Sequence, residues 1–188
     1  MGLSALFFSS DRPGGAGGED LYVSGRLADG RWSPPSNLGG TINTPGDEQF
    51  PFWAADGTTL FYTSTGLPGL GGQDLFRARL TAQNTWEAPV NLGYPINTAG
   101  DETNLFIGLN GSTAYFSKRV VNPNTGAGDI DIYSFELPPD LRPTAATYLA
   151  ATVIDAVSKA PITANVRISP LSQDAPPSYL QTDENGYF

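Results

Sequence analysis

The chain of 188 residues has no cysteine and no histidine. The first absence removes any disulfide framework, and the two together remove Cys-His and Ser-His-Asp nucleophile systems and the common zinc sites. Basic residues are scarce: 10 Lys and Arg stand against 19 Asp and Glu, a formal charge of −9. So acidic a surface repels phosphate backbones, and no Lys/Arg cluster offsets it, which argues against a nucleic-acid partner. Long apolar runs are missing too. The stretch Tyr148 to Ala151 and its neighbours falls far short of a membrane span. The opening "MGLSALFFSSDRPGG" has neither the basic start nor the apolar length of a signal peptide.

What is abundant is turn chemistry and aromatic residues. There are 22 Gly and 16 Pro without a collagen-like period, and 11% of residues are aromatic, which suits short strands joined by tight turns. Sustained 3.6-residue apolar spacing, the mark of an amphipathic helix, is nowhere found.

The strongest signal is self-similarity. "NLGGTINTPGDE" begins at Asn37 and "NLGYPINTAGDE" at Asn91, 54 positions later. Shifting the whole sequence by 54 also lays "LFFSS" on "LFYTS", "GGEDLYVS" on "GGQDLFRA", Trp32 on Trp86 and Pro35 on Pro89. Between Leu3 and Gly111, 22 of 55 aligned positions are identical, a repeat architecture by any standard. A third copy follows in "TAYFSK" and "DIDIYSFEL", with about three extra residues in the loop between them. Runs such as "TLFYTS" place apolar residues in succession, which predicts strands buried on both faces. Small sheets stacked face to face around an axis, the blades of a β-propeller, meet that condition.

These residues also resemble a known family. "WAADGTTLFYTS…GGQDLF" is similar to the TolB-type, WD-like β-propeller repeat, and the wider pattern W-x-x-P-x-NLG-x-x-INT-x-x-DE resembles its variant in multidomain Gram-negative envelope proteins. The stretch "ELPPDLRPTAATY" breaks the period. After it, V-x-D…P-x-x-x-A-x-V-x-I…TDENG-x-F looks like the opening strands of a carboxypeptidase-regulatory-like sandwich. The expected fold is therefore all-β: a partial β-propeller over 1–137, with two full blades of the 54-residue period and a partial third. A Pro-rich linker is expected at 138–148, then the first part of a transthyretin- or immunoglobulin-like β-sandwich over 149–188. Both ends are expected to be internal to a longer protein.

The resemblance implies a non-enzymatic scaffold or protein-interaction module of a peptidoglycan-associated, OmpA-family envelope protein, periplasmic and outer-membrane associated. It implies other envelope proteins as partners, contact with peptidoglycan only through a domain absent from this chain, and a possible link to a secretion assembly. No cofactor is expected. The alternatives are a sialidase-type propeller glycoside hydrolase or the propeller of a serine peptidase; "ADGTT" only loosely resembles the sialidase Asp box, and the arginines form no repeated cluster.

Candidate binding residues are Asp47, Glu48, Asp101, Glu102, Trp32 and Trp86. Paired carboxylates can serve as acid and base or help hold a hard cation. Adjacent strand residues point to opposite faces, however, and no EF-hand spacing is present. The favoured reading is that Asn43, Asn97, Asp47 and Asp101 tie turns by side-chain to backbone hydrogen bonds, with no metal bound. Trp32 and Trp86, at one place in each unit, are read as packing between blades rather than stacking on a ligand. The Gly-rich loops "PGGAGGED" and "PGLGGQD" lack the helix and Lys of a phosphate cradle and read as flexible hairpin loops. Asp131 occupies the position of Asp20 and Asp74, leaving Asp129 as an extra carboxylate, and "DENG" reads as a turn.

Overall fold

A computed structural model describes residues 5–27, 29–108, 110–121, 126, 128–146, 149–169 and 177–188. Among these the chain is all-β, built from small antiparallel sheets, none of which closes on itself. It divides into two compact units, Ser4–Ala146 and a second made chiefly of Thr147–Phe188. No helix among the described residues is long and apolar enough to cross a membrane.

The first unit holds three sheets. Strands β1 (Ala5–Ser10), β2 (Asp20–Gly25) and β3 (Ser36–Asn37) form the first, in that order. The second is a four-stranded meander of β4 (Glu48–Trp53), β5 (Thr59–Ser64), β6 (Asp74–Arg79) and β7 (Val90–Asn91). The third contains β8 (Glu102–Ile107), β9 (Thr113–Val121) and β10 (Gly128–Glu136), with β9 in the middle. Strands β1, β5 and β9 start 54 residues apart, as do β2, β6 and β10. The sequence period is thus a structural period.

Sheets and 54-residue blocks are out of phase: β4, at the end of the first block, pairs with β5 of the next. The sheets therefore have three, four and three strands. The segment between β3 and β4, which carries "NLGGTINTPGDE", is the crossover from the first sheet to the second. "NLGYPINTAGDE" is the crossover from the second to the third. In the third sheet Asp131 pairs with Lys118 as Asp74 pairs with Ser64, so Asp131 does match Asp74 once the longer loop is allowed for.

Burial explains the unbroken apolar runs. Every residue of β5 is buried, with Leu60 and Tyr62 on the face toward the first sheet and Phe61 toward the third. Leu21, Ile42, Leu60, Tyr62 and Phe76 fill the first inter-sheet layer. Phe61, Leu75, Leu105, Ala114 and Phe116 fill the second. Strands β4 and β8 each carry a bulge at the same register, where Phe50 and Asn104 take positive φ angles of 51° and 53°. A bulge resets which residues face which side, and this is why Phe52 can share a row with Phe61.

Part of the Pro-rich stretch expected as a linker is packed into this unit. Leu141 is buried in the second layer together with Leu137, the last residue of the expected propeller range. Arg79 donates to the Arg142 carbonyl at 3.0 Å, Arg77 donates to the Asp140 carbonyl, and Asp56 accepts from the Thr144 N–H at 2.8 Å. Burial, then the neighbouring Arg79, pushes the Arg77 guanidinium below its usual pKa.

The second unit contains a two-stranded sheet of β11 (Asn165–Ile168) and β12 (Ser178–Gln181), with bridges Thr152 to Tyr187 and Ile154 to Pro161. The "DENG" turn forms as read: the Asp183 side chain accepts from the N–H groups of Asn185 and Tyr187, both at 2.9 Å. Thr182 is buried and accepts from the Ala164 N–H, whereas Val157, Tyr179 and Tyr187 are exposed.

Candidate functional site

The crossovers gather most of the proposed site residues, and most of their hydrogen bonds repeat. Asn43, fully enclosed, accepts from the Leu21 N–H at 2.8 Å and donates to the Leu21 carbonyl at 3.0 Å. Asn97 does the same to Leu75, at 2.8 and 2.9 Å. Along one edge a primary amide presents its oxygen and one of its two N–H donors in the geometry of a peptide group, so each asparagine acts as a short piece of strand beside β2 or β6. Asn37 and Asn91 hold these amides from behind, accepting at 2.8 and 2.7 Å.

The carboxylate pairs split as strand geometry requires. Asp47 turns toward the preceding hairpin loop and accepts from the Glu19 N–H at 2.8 Å; Asp101 accepts from the Gln73 N–H at 3.1 Å. Glu48 and Glu102 turn inward and are completely buried. Glu48 accepts from the Thr44 N–H at 2.7 Å, the Thr44 hydroxyl at 2.6 Å and the Ser64 hydroxyl at 2.7 Å. Glu102 accepts from the Thr98 N–H at 2.9 Å and its hydroxyl at 2.6 Å, with the Lys118 ammonium 3.2 Å away in place of the serine. The turns are tied by side-chain to backbone bonds, as the sequence suggests. For Asn43 and Asp47, however, the bonds reach 22 and 28 residues along the chain instead of staying within their own turns.

The Gly-rich loops complete the corner. A Cβ on Gly17 would stand 2.2 Å from the Gly46 carbonyl, and one on Gly71 2.3 Å from that of Gly100. These hairpin loops are therefore pressed against the crossovers, which is a different reason for glycine than flexibility. They do cradle an anion, and it is the chain's own. Asp20 accepts from the N–H groups of Ala16 at 2.5 Å and Gly17 at 3.2 Å, and Asp74 accepts from those of Leu70 and Gly71. Asp20, Asp74, Asn37 and Asn91 are the members of the corner that a local reading misses. Their identity in both units was the available signal.

Chemically, the arrangement holds loops in place. Glu48 and Glu102 are occupied by donors from their own corners, while Asp74 accepts through Oδ2 alone and its buried Oδ1 has no partner among the described residues. No group of three or more acidic residues gathers at metal-binding distance among the described residues. Burial pushes the Tyr62 phenol far above its usual pKa, and the charge on Glu48 pushes it further, so this hydroxyl keeps its proton. The tryptophans separate. Trp86 packs in the first inter-sheet layer, edge-on to Trp53 with ring centres 6.0 Å apart. Trp32, its counterpart, is exposed. Asp129 is exposed and accepts from the N–H of Ile130.

No protein-family model matches the chain, and no curated protein matches it.

Proposed function

We propose that the three sheets are successive blades of a β-propeller and that the chain serves as a non-catalytic scaffold and interaction module of a cell-envelope protein. The observation that carries this reading is the repeated corner: the groups that could have done chemistry are held by the chain itself, at the same place in each unit. On this reading the second unit is the start of a carboxypeptidase-regulatory-like sandwich. The partners are other envelope proteins, contact with peptidoglycan runs through a domain outside this chain, and the location is the periplasm near the outer membrane.

Hydrolysis assays test the non-catalytic part. Incubation with a fluorogenic sialoside and with peptide substrates is expected to give no turnover above buffer. Robust turnover that one Tyr substitution abolishes without lowering the denaturation midpoint would overturn the proposal.

A further inference from the structure

The two inter-sheet layers are one interface used twice. The second sheet presents Leu60, Tyr62 and Phe76 to the first sheet, which answers with Phe7 and Leu21. Its other face presents Phe61 and Leu75, the 54-residue counterparts of Phe7 and Leu21, to the third sheet. Each sheet therefore has two unlike faces, and unlike faces meet.

Among the described residues of this unit, one face of each kind is without a partner. On the third sheet Tyr115 and Ile132 are the counterparts of Phe61 and Leu75. The interior pair is 0% exposed, whereas Tyr115 is 43% and Ile132 78% exposed. Phe106, in the row of Tyr115, meets Phe52 edge-on with ring centres 5.3 Å apart and is otherwise exposed. On the first sheet Leu6 matches Leu60 and is 47% exposed, against 0% for Leu60. Beside it, Phe8 is half-buried, and Arg12 lies over the rings of Phe8 and Tyr22 with its guanidinium carbon 5.1 and 4.6 Å from their centres. Exposed apolar surface of this kind marks an interaction site.

We propose that the occupant is a second copy of this chain, docked head to tail: the Tyr115 and Ile132 face of one copy stacks on the Leu6 and Phe8 face of the next. The inference rests on the blade reading above. It follows from the chain's own interior, because that same pairing of faces is what the two buried layers consist of. Such contacts are heterologous, so each copy keeps one face free and the assembly grows until a ring closes or continues as a stack.

Light scattering on the full chain over a concentration series tests this. The weight-average mass is expected to rise with concentration beyond one chain. Ile132→Asp and Leu6→Asp each return the protein to one chain with the denaturation midpoint unchanged, because both side chains are exposed. The milder Ile132→Ser shifts association in the same direction. A mixture of Ile132→Asp and Leu6→Asp proteins regains association and stops at a pair, since each retains the face the other lacks. A single chain at all concentrations, or association that both substitutions leave intact, would overturn the docking while leaving the non-catalytic reading standing. Turnover in the hydrolysis assays would do the reverse.

Discussion

The crossover at 37–48 and the crossover at 91–102 share the asparagine clasp and the threonine turn around different electrostatics. Glu48 and Glu102 are both fully buried carboxylates that close a threonine turn. Only Glu102 has a cation beside it; at the place of Lys118 the other corner has Ser64. A carboxylate that accepts several good hydrogen bonds is stabilised in its charged form without a counter-ion. Comparing the corners shows that the glutamate is there to receive the Thr N–H and hydroxyl, and that the ion pair is an addition to one copy. Buried ion pairs are weak evidence for stability, and here the chain supplies its own control.

Removing the asparagine amide should produce the largest effect, and the same one at both corners. Asn43→Leu strips the Leu21 N–H of its partner and Asn97→Leu that of Leu75, while each carbonyl keeps one backbone donor, the N–H of Leu38 or of Leu92. Leaving such a buried donor unpaired costs about 3 kcal/mol, to be read from urea denaturation of each variant. Unequal losses would show that the two corners are alike in geometry only.

Gly17→Ala and Gly71→Ala come next. The added methyl meets a backbone carbonyl that cannot rotate away, so the loop must lift off the crossover. Overpacking of this kind costs about 2 kcal/mol, and again the two variants should agree. A neutral or stabilising Gly71→Ala would mean that the loop is the flexible hairpin its composition suggests.

Lys118→Ser converts the second corner into the first. Breaking a buried ion pair ordinarily costs about 3–5 kcal/mol. The Lys118 side chain is 24% exposed, and Thr98 continues to donate twice to Glu102, so a loss of about 1 kcal/mol or less is expected. The salt dependence of stability should fall with it.

The smallest effect concerns a second pair of matched turns, Asp56 and Asn110. Asp56 accepts from the Thr58 and Thr59 N–H groups, and Asn110 accepts in the same way from Ser112 and Thr113 with a neutral amide. Burial pushes the Asp56 pKa up, but the hydrogen bonds from Thr58, Thr59 and Thr144 outweigh it and hold the carboxyl below 3.8. With the folded value depressed, the carboxylate contributes stability above the unfolded pKa, and that contribution is lost as pH falls through the folded value. Asp56→Asn should therefore flatten the acid limb of the stability curve and lower stability slightly at neutral pH, where the Thr144 N–H loses its acceptor.

Much of this was legible in the residues. The 54-residue register located strands β1, β5 and β9 and marked Trp86 and the paired crossovers, because tertiary repetition writes itself into sequence. The phase of the sheets was not legible: nothing local in "EQFPFW" says that it pairs forward to β5. The same limit hid the asparagine clasp. A short-range reading looks for Asx turns two residues on, whereas Asn43 bonds a strand 22 residues back. The glycines were visible, yet their reason lies in a close approach between two loops distant in sequence. Serine against lysine beside the buried glutamates was in plain view at positions 64 and 118, but it gains meaning only once both are seen to face the same carboxylate.

The claim that the duplicated phrase is a structural clasp is tested most directly by amide hydrogen exchange at Leu21 and Leu75. In the wild-type chain both amides should be strongly protected. Asn43→Ala should release Leu21 and spare Leu75, and Asn97→Ala the opposite. Protection that survives both substitutions would contradict the clasp and reopen the crossovers as a site for a ligand.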